Sequence, residues 1–516
     1  MKKPRICLIV DNPLRDLDGM VMLGWNLALK GAEVFLVPMA QQVYEVAALA
    51  PDLVLVNYLR EANRSLVRAY SESGILVGVL DTEGGIFADV EEFLKTIDRD
   101  GLSYVDMYCV WGHRQHDLFS KHNLVPKGDL YLTGCPRFDL CAPQWREALP
   151  DRTKDGSKMI LINTRTPGIF PRFQRGVEDE IKIMRSGGLS DSYVFGLLRE
   201  LYLIAGEMIT TVADMAKTFP DADIVLRPHP FENEKLYKAL FEDLPNVRVV
   251  REGTVLAWIK SAQLLIHKDC LTAMEACLLD KEPISLEWID APTARIELLN
   301  SISHHAKSRA HLFELVERAL KGTPLLPSTQ MLDTRKKIIS DWLYANDGEA
   351  SCRVVDAILR TIDLKAKRPH KKRRTGILTH SGLTMAGFKD HARFIGRRFI
   401  GPHNYNSLKR HLMRSPDGSG KEFNLEHIHS TVERINMTAS FTGSIDVGYA
   451  QETKERMVAF SSIRISASGD MKTKKETAKE ASLKIEGKDS VAQNPSESKA
   501  NNNRKEQLKA FQKASI

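Results

Sequence analysis

Several signatures that would settle a function at once are missing from these 516 residues. There is no GxxxxGK[ST], which excludes a P-loop, and no GxSxG elbow. No GxGxxG follows the first apolar run; DNPLRDLDG (11–19) stands there instead, so a dinucleotide fingerprint is absent. No clear DxD pattern of the kind that chelates a divalent ion for nucleotide-sugar transfer stands out, although the triplets DLD (16–18), DRD (98–100) and DAD (221–223) occur, so any group transfer is expected to proceed without a metal or cofactor. The seven cysteines include no CxxC pair and no finger-like spacing to histidine, which argues against structural zinc and a disulfide framework. Buried free thiols in a reducing compartment are expected. No run approaches 18 uncharged apolar residues, and the opening MKKPRICLIVDN has an apolar stretch too short for a signal peptide. A cytoplasmic location is therefore expected. The net charge of +7 is mild and sits largely in the last third, with no stacking aromatics beside it. No nucleic-acid partner is expected.

What is present is a rhythm. Short apolar runs at 6–10 (ICLIV), 33–38, 52–58, 75–80, 106–112 and 130–134 alternate with stretches of helical spacing. Buried parallel strands read as continuous apolar runs because helices cover both sheet faces, and strand–helix alternation means a doubly wound sheet. After a polar, turn-rich connection at 143–158 the pattern restarts at 159–164, 223–230, 247–253, 264–269 and 283–287. The expected organisation is a Rossmann-like domain over 1–142, a second over 155–330, and closing helices within 331–363. Residues 166–191 form a long insertion after the first strand of the second domain, where functional loops are common. Residues 364–465 form a basic extension to which no fold is assigned, and 466–516 has a composition that predicts disorder.

Ligands of open α/β sheets bind beyond the carboxyl ends of the strands, so the residues there are the candidates. DIVLRPHP ends in Arg227 and His229, each followed by a proline that stiffens the turn. An arginine can fork onto a phosphate, and a histidine can donate to one or exchange a proton. The bland alternatives are an Arg227 paired with a structural carboxylate and a buried, hydrogen-bonded His229. LLIHKDCLTAMEACLL places His267, Lys268 and Asp269 at a strand end and Thr272 at a helix start, where free N–H groups attract anions. Glu275 lies about one turn on and suits ribose hydroxyls; the competing reading is simple capping. In the first domain GVLDTEGGIF offers Asp81 and Glu83 as a general base, or as an ordinary acidic turn. His113 and His116 lie three apart, but without a carboxylate at ligand spacing no metal site is expected. TGCPRFDL sets Arg137 at the hinge between the domains. The insertion adds Asn163, Arg165, Arg172 and Arg175 beside Phe170 and Phe173, either ligand contacts or a solvated loop.

The series LDTEGG (80–85), WG (111–112), TGCPRFDL (133–140), RPHP (227–230) and HKDCLTAMEACLLDKEPISL (267–286) resembles bacterial surface carbohydrate biosynthesis proteins. These are similar to capsule-type and CDP-glycerol glycerophosphotransferase-like enzymes, and the resemblance covers about residues 1–345. It implies a GT-B-like fold of two facing Rossmann-like domains, and a glycosyltransferase moving sugar from a CMP-, CDP- or UDP-linked donor to a glycan or lipid-linked acceptor. The helix start also resembles that of nucleotide-sugar epimerases, which implies diphosphate contact at Thr272 and ribose contact at Glu275. Where related sequences have a Ser- or Gly-rich helix start, this chain has Asp269-Cys270-Leu271-Thr272. In a direct displacement between such lobes, Asp81 or Glu83 is expected to take the acceptor proton and His229 to neutralise charge on the leaving phosphate, so these three are the expected catalytic residues. Together with the strand-end reading of Arg227, His267, Lys268 and Asp269, the expected donor contacts are Arg227, His267, Lys268, Asp269, Thr272 and Glu275. An epimerase, a CDP-alditol phosphotransferase and a non-catalytic scaffold of an assembly complex remain as alternatives. The run KAKRPHKKRR (365–374) could hold the chain on the inner membrane surface through anionic lipid, or be a solvated linker.

Overall fold

The computed structural model describes residues 3–82, 93–94, 96–126, 128–154, 156–172, 176–186, 189–365, 423–451 and 459–468. The apolar runs form two sheets. In the first, β1 (Arg5–Val10), β2 (Glu33–Pro38), β3 (Leu53–Val56), β4 (Leu76–Leu80), β5 (Met107–Val110) and β6 (Leu130–Leu132) pair in parallel in the order 2-1-3-4-5-6. In the second, β7 (Met159–Asn163), β8 (Asp223–Arg227), β9 (Val247–Val249), β10 (Leu264–His267), β11 (Pro283–Leu286) and β12 (His304–Ala306) pair in parallel in the order 12-11-10-7-8-9. The fold is α/β and GT-B-like, two Rossmann-like lobes with parallel sheets.

Because side chains alternate across a strand, each strand feeds two layers. Ile6, Leu8 and Val10 of β1 and Met159 and Leu161 of β7 belong to one apolar cluster that runs between the lobes. Cys7 and Ile9 face the outer layer of the first lobe, and Ile160 and Ile162 the outer layer of the second. This alternation decides which strand-end residues face the opposite lobe.

Helix α1 (Pro13–Leu29) follows β1, started by Pro13 and by the Asn12 side chain, which accepts a hydrogen bond from Leu14 N at 3.0 Å. It packs so closely on the turn Pro136–Cys141 that a Cβ at Gly19 would lie 2.6 Å from Arg137 Cα. In the second lobe lie α2 (Asp191–Thr218), α3 (Val255–Ser261) and α4 (Thr272–Leu278). Within the segment 166–191 the described residues include a helix (Val177–Ser186) that precedes α2. The chain then returns to the first lobe in α5 (Ala350–Lys365), whose amino end is capped by Asp139. The Asp139 carboxylate accepts from Ala350 N at 2.9 Å, from Ser351 N at 2.7 Å and from the Ser351 hydroxyl.

The basic extension, unassigned from sequence, contains ordered structure. Helix α6 (Leu425–Thr438) lies on α1, and β13 (Ser444–Gln451) and β14 (Ala459–Ser468) form an antiparallel hairpin. The hairpin pairs with β2 (Ile463↔Leu36, Ile465↔Val34) and extends the first sheet to eight strands. Ile463 and Ile465 are fully buried, and the Glu45 carboxylate accepts from the Ser461 and Ser462 N–H groups at 2.9 and 2.8 Å. The expectation of disorder from about 466 onward is corrected for 466–468, which complete β14; residues 469–516 lie outside the described residues. All seven cysteines are free, five of them buried. Among the described residues, no helix is long and apolar enough to cross a membrane.

Candidate functional site

The carboxyl ends of β7 and β8 deliver Asn163 and Arg227 side by side in register. Both share the alternation of Leu161 and Val225, so both face the opposite lobe. The Arg227 guanidinium is buried and donates to the carbonyls of Glu252 (2.8 Å) and Gly253, not to a carboxylate. Burial first, then the charge of Arg152, pulls its pKa down to about 10, against the attraction of Glu275 and Glu252. It stays a cation at neutral pH. His229 is half-buried, and its Nδ1 accepts from Phe231 N at 3.3 Å. Burial, Arg15 and Arg165 push its pKa down to about 4. The ring is therefore neutral at pH 7 with its hydrogen on Nε2, a donor rather than a cation.

The β10 end corrects three expectations. His267 is fully buried, with Nε2 2.9 Å from Ser303 Oγ and Nδ1 accepting from Cys270 N at 3.4 Å. It braces the turn from inside the lobe. Lys268 is 3% exposed, its ammonium 3.4 Å from Asp269 Oδ2, so its charge is spent inside the lobe. Asp269 adopts φ +52° and ties the turn to 296–300, accepting from Ile296 N and Asn300 Nδ2, each at 2.8 Å. It caps no helix; Leu271 precedes α4 without a side-chain cap. Thr272 stands at the first position of α4, its hydroxyl 3.2 Å from Cys270 Sγ. Arg165 Nη1 donates to the carbonyls of Asp269 (2.9 Å) and Ala294 (3.2 Å).

Glu275 and Arg137 meet across the lobe boundary. Arg137 is 6% exposed, and its guanidinium lies over the rings of Phe138 (4.6 Å) and Trp111 (5.3 Å). Its charged partners stand off, Asp16 Oδ1 at 3.8 Å and Glu275 Oε1 at 3.6 Å. Arg137 Nε and Nη2, Glu275 Oε2, and both Asn163 side-chain atoms are buried without a hydrogen-bond partner. Burial raises the Glu275 pKa despite Arg137, Arg15 and Arg227 nearby. From the first turn of α1, Arg15 donates to Asp16 at 2.8 and 3.0 Å and reaches Asp11 at 3.3 Å.

Asp81 is also corrected. It continues the alternation of Val77 and Val79, which turns it to the outer layer of the first lobe. There it is fully buried, paired with Arg60 Nη2 at 2.9 Å and 3.4 Å from Tyr108 OH. It is no exposed general base. Glu83, Phe173 and Arg175 lie outside the described residues. Arg172 Nη1 donates to Glu234 Oε2 at 3.1 Å and helps set the loop after β8. The sequence reading missed Arg15 and Asp16, although the charged stretch DNPLRDLDG (11–19), standing where a glycine-rich turn is usual, was the available signal. It also missed Glu232, which accepts from Thr164 Oγ1, Thr166 N and Tyr237 OH and so joins the loops after β7 and β8. Burial raises its pKa to about 7. Among the described residues, no group of three His, Cys, Asp or Glu side chains could hold a metal ion.

No protein-family model and no curated protein matches this chain. Among solved structures the chain is similar to the S. aureus MnaA–UDP co-structure, with 13% identity over 71% of this chain and 99% of that one and a TM-score of 0.44. It is similar to UDP-GlcNAc 2-epimerase from Neisseria meningitidis bound to UDP-GlcNAc, at 12% identity over 69% and 100% of the two chains and a TM-score of 0.40. It is also similar to the wall teichoic acid polymerase TagF, at 10% identity over 70% and 90% and a TM-score of 0.46.

Proposed function

We propose that this chain is an enzyme that binds a nucleotide-activated sugar between its lobes and transfers the sugar, without a metal ion, to a glycan or lipid-linked acceptor of a surface polysaccharide. The observation that carries this reading is the set of buried polar atoms without partners at the lobe boundary: Arg137 Nε and Nη2, Asn163 Oδ1 and Nδ2, and Glu275 Oε2. Each such atom costs roughly 1–3 kcal/mol if left unpaired, so a cluster drawn from both lobes suits a polar ligand that enters between them. Cations surround it: Arg15, Arg137, Arg165 and Arg227 all act on Glu275 or His229. That balance fits a diphosphate. Arg137 and the neutral His229 would donate to it as charge builds on the departing nucleotide. Glu275 would accept from ribose hydroxyls, and Asn163 has both a donor and an acceptor to offer. With Asp81 turned to the outer layer, Glu83 is left as the general base of this reading.

A second reading, sugar epimerisation without an acceptor, draws on Asp16 and Glu275, two buried carboxylates that bracket Arg137. Turnover of donor with no acceptor present separates the two. For a lipid-linked acceptor, a peripheral inner-membrane contact would fall to 366–374, which lies outside the described residues. Lys365 is not available for it, since its ammonium binds the Asp106 carbonyl (2.6 Å) and Asp129 (3.1 Å).

Titration calorimetry and thermal shift of the full chain with CMP, CDP, UDP and GDP test the proposal. One nucleotide is expected to stabilise the chain by about 2.7 kcal/mol at a hundred times its Kd, and Arg137→Ala is expected to weaken its binding at least tenfold. Failure of all four nucleotides to bind would overturn the reading.

A further inference from the structure

Helix α6 belongs to the extension, yet one of its side chains reaches the lobe boundary. His427 Nε2 lies 2.7 Å from Asp18 Oδ1 on α1. The other oxygen of that carboxylate, Oδ2, accepts from the hydroxyl of Thr254 in the second lobe at 2.6 Å. Asp18 is 4% exposed and Thr254 is 3% exposed, so neither bond has water as a ready substitute. Thr254 directly follows Glu252 and Gly253, whose carbonyls receive both Arg227 Nη groups. The Glu252 carbonyl also accepts from Trp258 Nε1 at 2.9 Å. A continuous chain of hydrogen bonds and backbone thus runs from the extension to Arg227.

We propose that His427 is a positioning residue for the site: through Asp18 and Thr254 it fixes the 252–254 turn, and that turn aims the Arg227 guanidinium at the lobe boundary. The geometry gives the extension this reach at more than one point. Arg434, two turns along α6, donates to the Ala148 carbonyl on the interdomain connection at 2.7 Å. The Asp18 carboxyl is shared by three elements, so losing any one partner leaves a buried oxygen unpaired and the turn free to shift. Among the described residues, Arg227 is bound by two carbonyls and by no side chain that could restore its direction.

The role of Arg227 in binding rests on the proposed function, so the test has two arms on the full chain. In the first, affinities for UDP and CDP are measured for His427→Ala, Arg227→Lys and the double variant. His427→Ala is expected to weaken binding about tenfold in the wild-type background and much less in the Arg227→Lys background, whereas independent sites add to within about twofold. Thr254→Val should match His427→Ala, while Thr254→Ser, which keeps the hydroxyl, and His427→Gln, which keeps a donor, should recover most of the affinity. In the second arm, the same cycle is measured on the urea unfolding equilibrium, which needs no ligand, and a coupling of about threefold or more is expected. If neither UDP nor CDP binds the wild type, the functional reading fails and the unfolding cycle alone decides: coupling supports the relay and additivity ends it. If a nucleotide binds but both cycles are additive, or Thr254→Ser behaves like Thr254→Val, the relay is wrong and the functional reading stands.

Discussion

Arg137 and Glu275 are opposite charges that stop short of a hydrogen bond, 3.6 Å apart and both nearly inaccessible to water. A pair optimised for stability would close that gap. Glu275 shows the cost, since burial raises its pKa even with three arginines nearby. For a carboxyl whose folded pKa lies above its unfolded value, the stabilising contribution is complete below the unfolded pKa and is lost as pH rises through the folded one. Glu275→Gln is therefore expected to stabilise the ligand-free chain at pH 7.5 by about 1 kcal/mol or more. It should have little effect near pH 4, and it should weaken nucleotide binding at both. Urea titrations at the two pH values check this; a variant less stable than wild type at pH 7.5 would show that the carboxylate is well satisfied. The same alternation that brings Asn163 and Arg227 to the boundary removes Asp81 from it, and that much was legible in the sequence. Asp81 stands an even number of residues after Val77 and Val79, whose side chains face outward. His267 is a different case: its alternation faces it inward, but its bonds to Ser303 and Cys270 N depend on residues brought together only by folding.

Among the elements, eleven of the twelve parallel strands were readable because burial leaves unbroken apolar runs such as ICLIV and LLIH; β12 was not, since its three residues His304–Ala306 contain no apolar run. The hairpin β13–β14 was not readable either, because its strands mix Ser, Gly and Arg with every second residue apolar, and the apolar residues buried in β14 are Ile463, Ile465 and Ala467. Pairing with β2, more than 400 residues earlier, gives those few residues their core. The turn Pro136–Cys141 shows how one motif can serve two elements. Its Asp139 caps α5 while Arg137, two residues before, faces the second lobe. The fit of α1 against this turn depends on Gly19, because a Cβ would stand 2.6 and 2.7 Å from the Arg137 Cα and N. Backbone atoms cannot swing aside, so Gly19→Ala is expected to cost about 1–3 kcal/mol of stability and to displace Arg137. Nucleotide affinity should therefore fall along with the unfolding midpoint. An alanine variant with unchanged stability would mean that α1 is free to move away from the turn.

At the scale of the whole molecule, the first lobe is made from both ends of the chain. Its parallel strands come from residues 5–132, while α5, α6 and the hairpin return from beyond residue 349. Trp25 marks the join, with Nε1 donating to Asn436 Oδ1 at 2.7 Å and its ring edge-on to Trp145 and Phe441. Ile463→Asp buries a charge at the centre of the added strand and should detach the hairpin, leaving the β2 edge unpaired and prone to self-association. Size-exclusion chromatography with light scattering should show higher oligomers for this variant than for the wild type; a monodisperse profile matching the wild type would mean that the β2 edge is protected without the hairpin. The late-arriving strand also constrains biosynthesis. A ribosome makes the six parallel strands of this lobe early, at about 5–20 residues each second, but the strand that covers their open border is not translated until some 420 residues after β2. For tens of seconds, on that arithmetic, the nascent lobe carries an uncovered Trp25 and a bare sheet margin, which makes it a natural client for a chaperone during translation.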